Sequence, residues 1–290
     1  MASQVSLSEG VGTAFVAETV LRLSGDDHRT WLQGQITQDV RKLSPGEPQS
    51  TCFLSATGQL QAIARLHDQG DAILVVTGQP DVVRGRVDDF VIMEEVELAT
   101  VEEGVQTIHG AAAEAWLAHH AEPGTWGRHD RTPFPGFDVF VPPFEFGSLP
   151  VIEAEEMAAL GFAAGIPRFG VDTNAKTLPP ELGKAFDERT INYTKGCYLG
   201  QEVVMRIHSR GHVNRQWVAL KMGAAPSVGA EVTRDGAVVG AVMQAFLLSG
   251  DWYASTMLRR ESAEPGTEVL VGGVPAIVRP LPLDSVPGLL

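Results

Sequence analysis

Cysteine is scarce in this chain, which has only Cys52 and Cys197 in 290 residues. Two thiols are too few for a disulfide framework, and a reducing cytoplasm is the expected location. Cys52 stands in the apolar stretch CFLSAT, which predicts a place in the core. Cys197 stands between glycines and polar side chains, where residue type alone leaves two hypotheses open. It is a small buried apolar group, or it is a reactive thiol whose ionised form is favoured by the nearby Lys195.

Positive charge and long apolar runs are also scarce. The chain has 22 Lys and Arg against 36 Asp and Glu, for a formal net charge of −14. This balance disfavours broad nucleic-acid binding, which needs cations to neutralise phosphates. No apolar run reaches the roughly 20 residues that cross a bilayer. The opening MASQVSLSEG lacks the layout of a secretory signal. We therefore expect no membrane contact and no stable nucleic-acid complex.

The hydrophobic patterns predict a mixed α and β protein with two or three domains. Apolar spacing predicts a helix over Pro80–Met93 and a short helix that places Leu32 and Ile36 on one face. Residues 164–199 show little regular pattern, and long irregular stretches are often functional. After Gly211, short β segments with glycine turns predict an antiparallel barrel or sandwich. The strands expected before that point are 51–57, 60–67, 72–77, 96–101, 105–110 and 136–141.

Two further stretches contain candidate functional side chains. Asp138 lies in the apolar strand GFDVFV, so it is either an outward-facing residue of an edge strand or a buried carboxylate that needs partners. In the second case it could bind the amino and ring N–H groups of a heterocycle. The run from Arg206 to Arg215 is basic, which fits an anionic tail, an RNA phosphate or a solvated turn.

Metal and hydrolase hypotheses for Cys197 have weak support. A zinc site with His208 and His212 needs a helix at their spacing, and Gly211 argues against one. A fourth ligand is also missing nearby in the sequence, so no metal site is predicted. A cysteine hydrolase needs a paired His and an orienting carboxylate or Asn. The eight histidines make such a pairing possible without making it specific.

The residues from Lys195 to Glu202, KGCYLGQE, resemble the signature K-G-C-[YF]-[IT]-G-Q-E of the YgfZ-type folate-binding proteins. That family is related to the glycine cleavage T-protein, an aminomethyltransferase. Leu199 is a mild departure at a variable position. The stretches 22–46, 136–141 and 164–181 also resemble family elements, and beyond about residue 220 only the β-rich character matches.

The resemblance implies an α+β fold, a T-protein-like ring of three domains around a central channel. Its ferredoxin-like α+β domains would be followed by a C-terminal antiparallel β-barrel. Residues 1–48 with 110–212 would form a discontinuous folate-binding domain that carries the signature. Residues 49–109 would form an inserted α+β domain, and residues 213–290 the barrel.

The resemblance also implies tetrahydrofolate or a derivative as cofactor. The implied role is support of iron–sulfur cluster assembly or repair. Partners would be assembly proteins or cluster-containing enzymes, including radical enzymes that modify tRNA. Cys197 would be the working group, with Lys195 favouring its thiolate. The residues expected to bind folate or to shape and orient this loop are Asp138, Gly196, Tyr198, Gly200, Gln201, Glu202 and Arg206.

Two departures argue against aminomethyl transfer. T-proteins keep a catalytic carboxylate in a G-x-x-D-D stretch, whereas the corresponding Gly58–Ala62 reads GQLQA. A group that would orient or deprotonate the substrate amine is therefore missing. Gly161 also stands where the family has an arginine. We expect a protein without turnover, and a tetrahydrofolate-dependent aminomethyl or one-carbon transferase is the alternative.

Overall fold

The computed structural model of the chain describes residues 7–140 and 145–283. The first six residues, on which the signal-peptide expectation rests in part, lie outside these ranges, as does Val141 at the end of the expected strand 136–141. The chain forms two compact units. The first comprises Met1–Met157 with Arg189–Glu202, and the second Ala158–Glu188 with Val203–Leu289. The expected three-part division into domains stays a prediction.

A seven-stranded antiparallel sheet forms the centre of the first unit, in the order β2-β3-β4-β1-β5-β7-β6. Its strands are β1 Gly12–Ser24, β2 Gln49–Leu54, β3 Leu60–Asp68, β4 Ala72–Thr77, β5 Glu97–His109, β6 Trp126–His129 and β7 Gly136–Val139. The helices of this unit are α1 His28–Gln35, α2 Pro80–Phe90 and α3 Ala113–His120.

One face of the sheet is apolar and is covered by α1 and α2. Successive side chains of a strand point to opposite sides, so Ala62, Ala64 and Leu66 of β3 lie on the same face. They are buried in one cluster with Leu32 of α1 and Val83 of α2. Leu32 and Ile36 are fully buried, as their spacing predicts. The opposite face of β3 carries polar side chains, and these form part of the site described below.

The expectation of separate strands at 96–101 and 105–110 is wrong, because β5 is a single strand of 13 residues. Glu103 and Gly104 suggest a turn in the sequence, but Glu103 pairs with Thr19 of β1 and Gly104 falls at a register shift between the two strands. Gly104 has a φ of +91° and lies against the ring of Phe15, where a Cβ atom would overlap the ring. Glycine therefore allows an irregularity that β5 passes through without reversing direction.

The second unit contains a closed antiparallel barrel of six strands, in the order β10-β11-β8-β13-β12-β9. The strands are β8 Arg215–Met222, β9 Glu231–Arg234, β10 Ala237–Leu248, β11 Asp251–Arg259, β12 Glu268–Val271 and β13 Val274–Arg279. The described residues contain three further α-helices, α4 Ala154–Ala163, α5 Lys184–Thr190 and α6 Gln201–Arg210. The expected α+β class and the C-terminal barrel are confirmed.

The irregular stretch after α4 is held to the barrel by a buried carboxylate. Asp172 accepts hydrogen bonds from the Gln244 side-chain amide (2.8 Å) and from the Arg168 backbone N–H (2.8 Å). It also accepts from the Ser255 hydroxyl, which in turn accepts from the Trp217 indole N–H at 2.8 Å. Burial raises the pKa of Asp172. This network orders residues 164–178, which contain no helix or strand, because a buried polar group needs hydrogen-bond partners.

Candidate functional site

The residues Lys195–Gly200, here called the signature loop, lie between α5 and α6. The stretch QEVVMRI that follows begins a helix, which resolves the choice between helix and strand left open by the sequence. The Cys197 side chain is exposed, whereas Cys52 is buried as its apolar neighbours predict. Of the two hypotheses for Cys197, the buried core position is therefore wrong. An exposed thiol held between two helices is accessible to reagents and partners.

Lys195 fastens the signature loop to the end of α1. Its ammonium group donates to three backbone carbonyls, those of Gln33 (2.7 Å), Ile36 (2.8 Å) and Gln38 (2.6 Å). The Leu199 backbone N–H donates to the carbonyl of Gly34 at 3.1 Å. The last carbonyls of a helix have no partner within the helix, and they carry the negative end of its dipole. The loop thus caps α1, and the cap holds the loop in place.

The surroundings of Lys195 show an anchor rather than a free charge. All three of its N–H groups are used by carbonyls, and its Nζ lies 5.1 Å from the centre of the Tyr198 ring, which is buried. Burial lowers the pKa of Lys195 to about 8, with Asp39 opposing the shift. The expected effect of Lys195 on the Cys197 thiolate stays a prediction.

The two glycines of the signature differ in what their positions require. Gly200 has a φ of +84°, and a Cβ atom there would lie 2.4 Å from the Ser55 carbonyl oxygen and 2.9 Å from the Leu54 Cβ. Gly196 has no atom within 4 Å of such a position. Only Gly200 is therefore needed for close packing, and it packs on the turn between β2 and β3.

This β2–β3 turn corresponds to the stretch in which T-proteins keep a carboxylate. Its side chains are neutral, and the Ser55 and Thr57 hydroxyls both donate to the Gln59 side-chain oxygen at 2.5 Å. The Gln61 side-chain oxygen accepts from the Arg86 guanidinium at 2.8 Å. Hydroxyl and amide groups here form a closed hydrogen-bond network, and neither type acts as a base near neutral pH.

The residues that follow the loop lie on α6. The Gln201 side-chain oxygen accepts from the Tyr198 backbone N–H at 3.3 Å, and Glu202 is exposed. Arg206 is exposed in the second unit, where it lines a cavity of about 330 Å³ with Glu181 and other residues. The Glu181 carboxylate also lines this cavity and is paired with Arg215 at 2.8 Å. The 206–215 run is thus partly neutralised by an acidic side chain, which weakens the hypothesis of an RNA-binding strip.

Asp138 is completely buried on β7, which lies between β5 and β6, so the edge-strand hypothesis is wrong. Its carboxylate belongs to a closed ring of alternating charges, here called the charge ring. Arg131 contacts both Asp138 (2.8 Å) and Glu18 (2.7 Å). Arg65 contacts Glu18, and its Nε lies 3.5 Å from Asp138. The ring joins β1, β3, β7 and the segment after β6 across the polar face of the sheet.

Only Asp138 of this ring was a sequence candidate. Glu18 and Arg65 are 47 residues apart, and nothing local indicates that they meet. The one available signal is an arginine within the apolar strand LQAIARLH, which requires a partner if it is buried.

The environment of the charge ring determines its ionisation. Burial alone would raise the pKa of Asp138, but the neighbouring His67 and Arg65 outweigh it and hold that pKa below its usual range. Burial raises the pKa of Glu18. Burial also lowers the pKa of His129 to about 4. The His129 Nδ1 accepts from the Arg131 backbone N–H at 3.2 Å, which requires the neutral ring.

Curated relatives cover most of this chain. A protein named tRNA-modifying protein YgfZ from Yersinia enterocolitica is 26% identical over 289 residues, covering 84% of this chain and 86% of that protein. A protein of the same name from Vibrio atlanticus is 26% identical over 239 residues, covering 77% and 73%. An uncharacterized protein from Haemophilus influenzae is 24% identical over 218 residues, covering 70% of each. No family model matches the chain.

The fold comparison agrees with these relatives. The crystal structure of glycine cleavage system aminomethyltransferase T from Bartonella henselae superposes with a TM-score of 0.80 at 18% identity, covering 95% of this chain and 87% of that one. The chain is similar in sequence to proteins named YgfZ and has the fold of the T-protein. The family resemblance carried by KGCYLGQE is confirmed.

Only some of the residues expected to bind folate are exposed in this chain. Asp138 is buried and ion-paired with Arg65 and Arg131, and the Tyr198 ring is buried near the Lys195 ammonium group. Gly196 and Glu202 are exposed and could contact a ligand. The expected pairing of Asp138 with a heterocycle would require Arg131 to release it. Direct folate contact by Asp138 stays a prediction.

In the parts of the chain that the structure describes, no group of three or more His, Cys, Asp or Glu side chains is placed to hold a metal ion. None of the helices within those parts has the length and apolar character to cross a membrane.

Acid is expected to destabilise the protein through His129. Its pKa is about 4 in the folded chain, against about 6.5 when unfolded. The unfolded chain therefore gains a proton that the folded chain does not, and stability falls as pH drops from about 6.5 toward 4. Between pH 7 and pH 5 this contributes a loss of about 2 kcal/mol. Urea titrations across that range should show the loss in the wild type and a shallower one in His129→Gln. Parallel pH profiles would contradict the assignment.

Proposed function

We propose that this YgfZ-type protein binds folate and supports the assembly or repair of iron–sulfur clusters through the Cys197 thiol. The observation that carries the proposal is an exposed thiol on an anchored loop. Lys195 fixes the loop two residues before Cys197, and Gly200 packs three residues after it. Exposed free cysteines are uncommon in globular proteins, since most are buried. An anchored one is suited to transfer or contact with a partner.

Folate binding is supported by the T-protein fold and by the accessible part of the signature. We propose that the Gly196 backbone, the Gln201 amide and the Glu202 carboxylate contact the ligand. A carboxylate can accept hydrogen bonds from the amino and ring N–H groups of a pterin. Bound folate would supply a one-carbon carrier or a recognition element.

The β2–β3 turn favours a role without aminomethyl transfer. A transferase needs a group that moves the amine proton, and Ser55, Thr57 and Gln59 hydrogen bond to one another instead. A rate assay with tetrahydrofolate and an aminomethyl donor distinguishes the two functions. Sustained turnover would favour the transferase.

Any cluster on Cys197 requires ligands from elsewhere. Iron–sulfur clusters are typically held by four protein ligands, and this loop presents one thiol. The partners we propose are iron–sulfur assembly proteins or cluster-containing enzymes, among them enzymes that modify tRNA. The YgfZ relatives are named tRNA-modifying proteins, which supports tRNA-modifying enzymes as partners.

Cys197→Ser is expected to fold normally and to abolish support of cluster-dependent tRNA methylthiolation in cells that lack the native protein. The side chain is exposed, so the melting temperature should change by less than about 2 °C. Nucleoside mass spectrometry of tRNA measures the outcome. Cys52→Ala is the matched control, because its thiol is buried and its loss should lower stability without abolishing the modification. Full modification with Cys197→Ser would remove the thiol from the function.

A further inference from the structure

Two adjacent apolar side chains protrude from the first unit. Ile92 is 85% exposed and Met93 is 91% exposed, the highest values among large apolar side chains in residues 7–140 and 145–283. Single exposed apolar residues are common on protein surfaces, but an adjacent pair at this exposure is not. They lie between α2 and β5, in the segment Phe90–Glu95, here called the docking turn.

Hydrogen bonds tie the docking turn to itself and to α1. The Glu94 carboxylate accepts hydrogen bonds from the backbone N–H groups of Ile92 (2.9 Å) and Met93 (3.0 Å), and these bonds lower its pKa. The Trp31 indole N–H donates to the Phe90 carbonyl at 3.2 Å. The backbone of the turn is thus tied at its tip and at its start, so less backbone entropy is lost when a partner binds.

A second tie joins the end of the turn to the start of α1. The Glu95 backbone N–H donates to the Asp27 carboxylate at 2.9 Å, and the Asp27 N–H donates to the Glu95 carbonyl at 3.2 Å. The signature loop caps the other end of α1. Because α1 has eight residues, the two features lie about 12 Å apart along its axis. A partner seated on the turn would be within reach of Cys197.

The charge around the docking turn indicates which kind of partner it can bind. Residues 88–97, DDFVIMEEVE, contain five carboxylates and no lysine or arginine. All five of these acidic residues are exposed: Asp88, Asp89, Glu94, Glu95 and Glu97. Such a rim repels RNA phosphates and anionic lipid and attracts Lys and Arg.

We propose that the docking turn inserts Ile92 and Met93 into an apolar pocket of a partner protein whose rim carries lysine and arginine. The inference rests on the proposed function, since this partner is the protein brought to Cys197. Apolar anchors within a charged rim are the usual arrangement of a protein interface.

The first experiment replaces the anchors with Ile92→Ser and Met93→Ser together. Because both side chains are exposed, the melting temperature and the rate of Cys197 alkylation should equal those of the wild type. Cluster-dependent tRNA methylthiolation in cells should fall at least about fivefold. Val228→Ser is the matched control, since Val228 is 68% exposed in the second unit, and it should retain full modification. Full modification in the double variant together with loss in Cys197→Ser would overturn the docking proposal alone. Full modification in Cys197→Ser would overturn the proposed function instead.

The second experiment identifies the pocket. A photoreactive amino acid at position 93 should crosslink in cells to a protein, at a peptide bordering an apolar pocket with Lys or Arg on its rim. That protein, purified, should bind the wild type at least about tenfold more tightly than the double serine variant. Asp88→Lys with Asp89→Lys should weaken binding, and salt should weaken it as well. Crosslinks to a second copy of this chain, to RNA, or to a surface without basic residues would each overturn the proposal.

Discussion

Asp138→Ala is expected to lower the free energy of unfolding by about 3–5 kcal/mol, the usual cost of removing one partner from a buried ion pair. The substitution leaves Arg131 and Arg65 facing each other with Glu18 as the remaining carboxylate, and both guanidinium groups are about 95% buried. Two positive charges would then share one negative charge at low dielectric. Urea denaturation at pH 7 measures the difference from the wild type.

Two variants sharpen this test. Asp71→Ala removes an exposed carboxylate that is paired with Arg22 at 2.7 Å, and it should cost less than about 1 kcal/mol. Asp138→Ala combined with Arg131→Met should be more stable than the sum of the two single losses predicts, because the charges cancel within the ring. If Asp138→Ala lowered the free energy of unfolding by less than about 1 kcal/mol, the charge ring would not stabilise the sheet.

A further substitution at position 138 tests whether this carboxylate contacts folate. If Asp138 serves only the charge ring, Asp138→Asn should destabilise the protein and leave the folate affinity of the remaining folded molecules unchanged. A large loss of affinity in folded protein would instead show that Arg131 releases the carboxylate to the ligand. Calorimetric titration below the unfolding temperature separates these outcomes.

Local patterns in the sequence were sufficient for much of the fold. Leu32 lies in α1 and Ile36 follows it in an extended conformation, and both are buried as their spacing predicts. The short β segments after Gly211, for which the pattern predicts a barrel or a sandwich, form a closed barrel. The helix expected over Pro80–Met93 begins at Pro80 but ends at Phe90. The Glu94 carboxylate holds the next residues in a turn, and hydrophobic spacing alone does not report such a side-chain contact.

The candidate site depended on contacts between distant residues, which explains what was missed. KGCYLGQE identified the exposed thiol through resemblance. It did not show that Lys195 would cap α1, since Gln33 and Gln38 are more than 150 residues away. The charge ring likewise needs strands β1, β3 and β7 to be paired in one sheet before its charges meet. Pairings of this kind are set by the complete fold rather than by any one segment.

Gly200→Ala is expected to lower the free energy of unfolding by roughly 3 kcal/mol, and Gly196→Ala by less than about 0.5 kcal/mol. Both changes add one methyl group to the same loop, so each is the control for the other. At position 200 the methyl meets the Ser55 carbonyl oxygen in a left-handed backbone conformation, whereas at position 196 it meets no atom within 4 Å.

The alkylation rate of the Cys197 thiol measures how each substitution affects the signature loop. If contact with the β2–β3 turn holds the loop, Gly200→Ala should also change the alkylation rate of Cys197, and Gly196→Ala should change it much less. Denaturation curves and timed alkylation of the same preparations test both statements. Equal effects of the two alanines would mean that Lys195 alone holds the loop. The position of the thiol would then depend on the Lys195 ammonium group and the three carbonyls in and after α1 to which it donates.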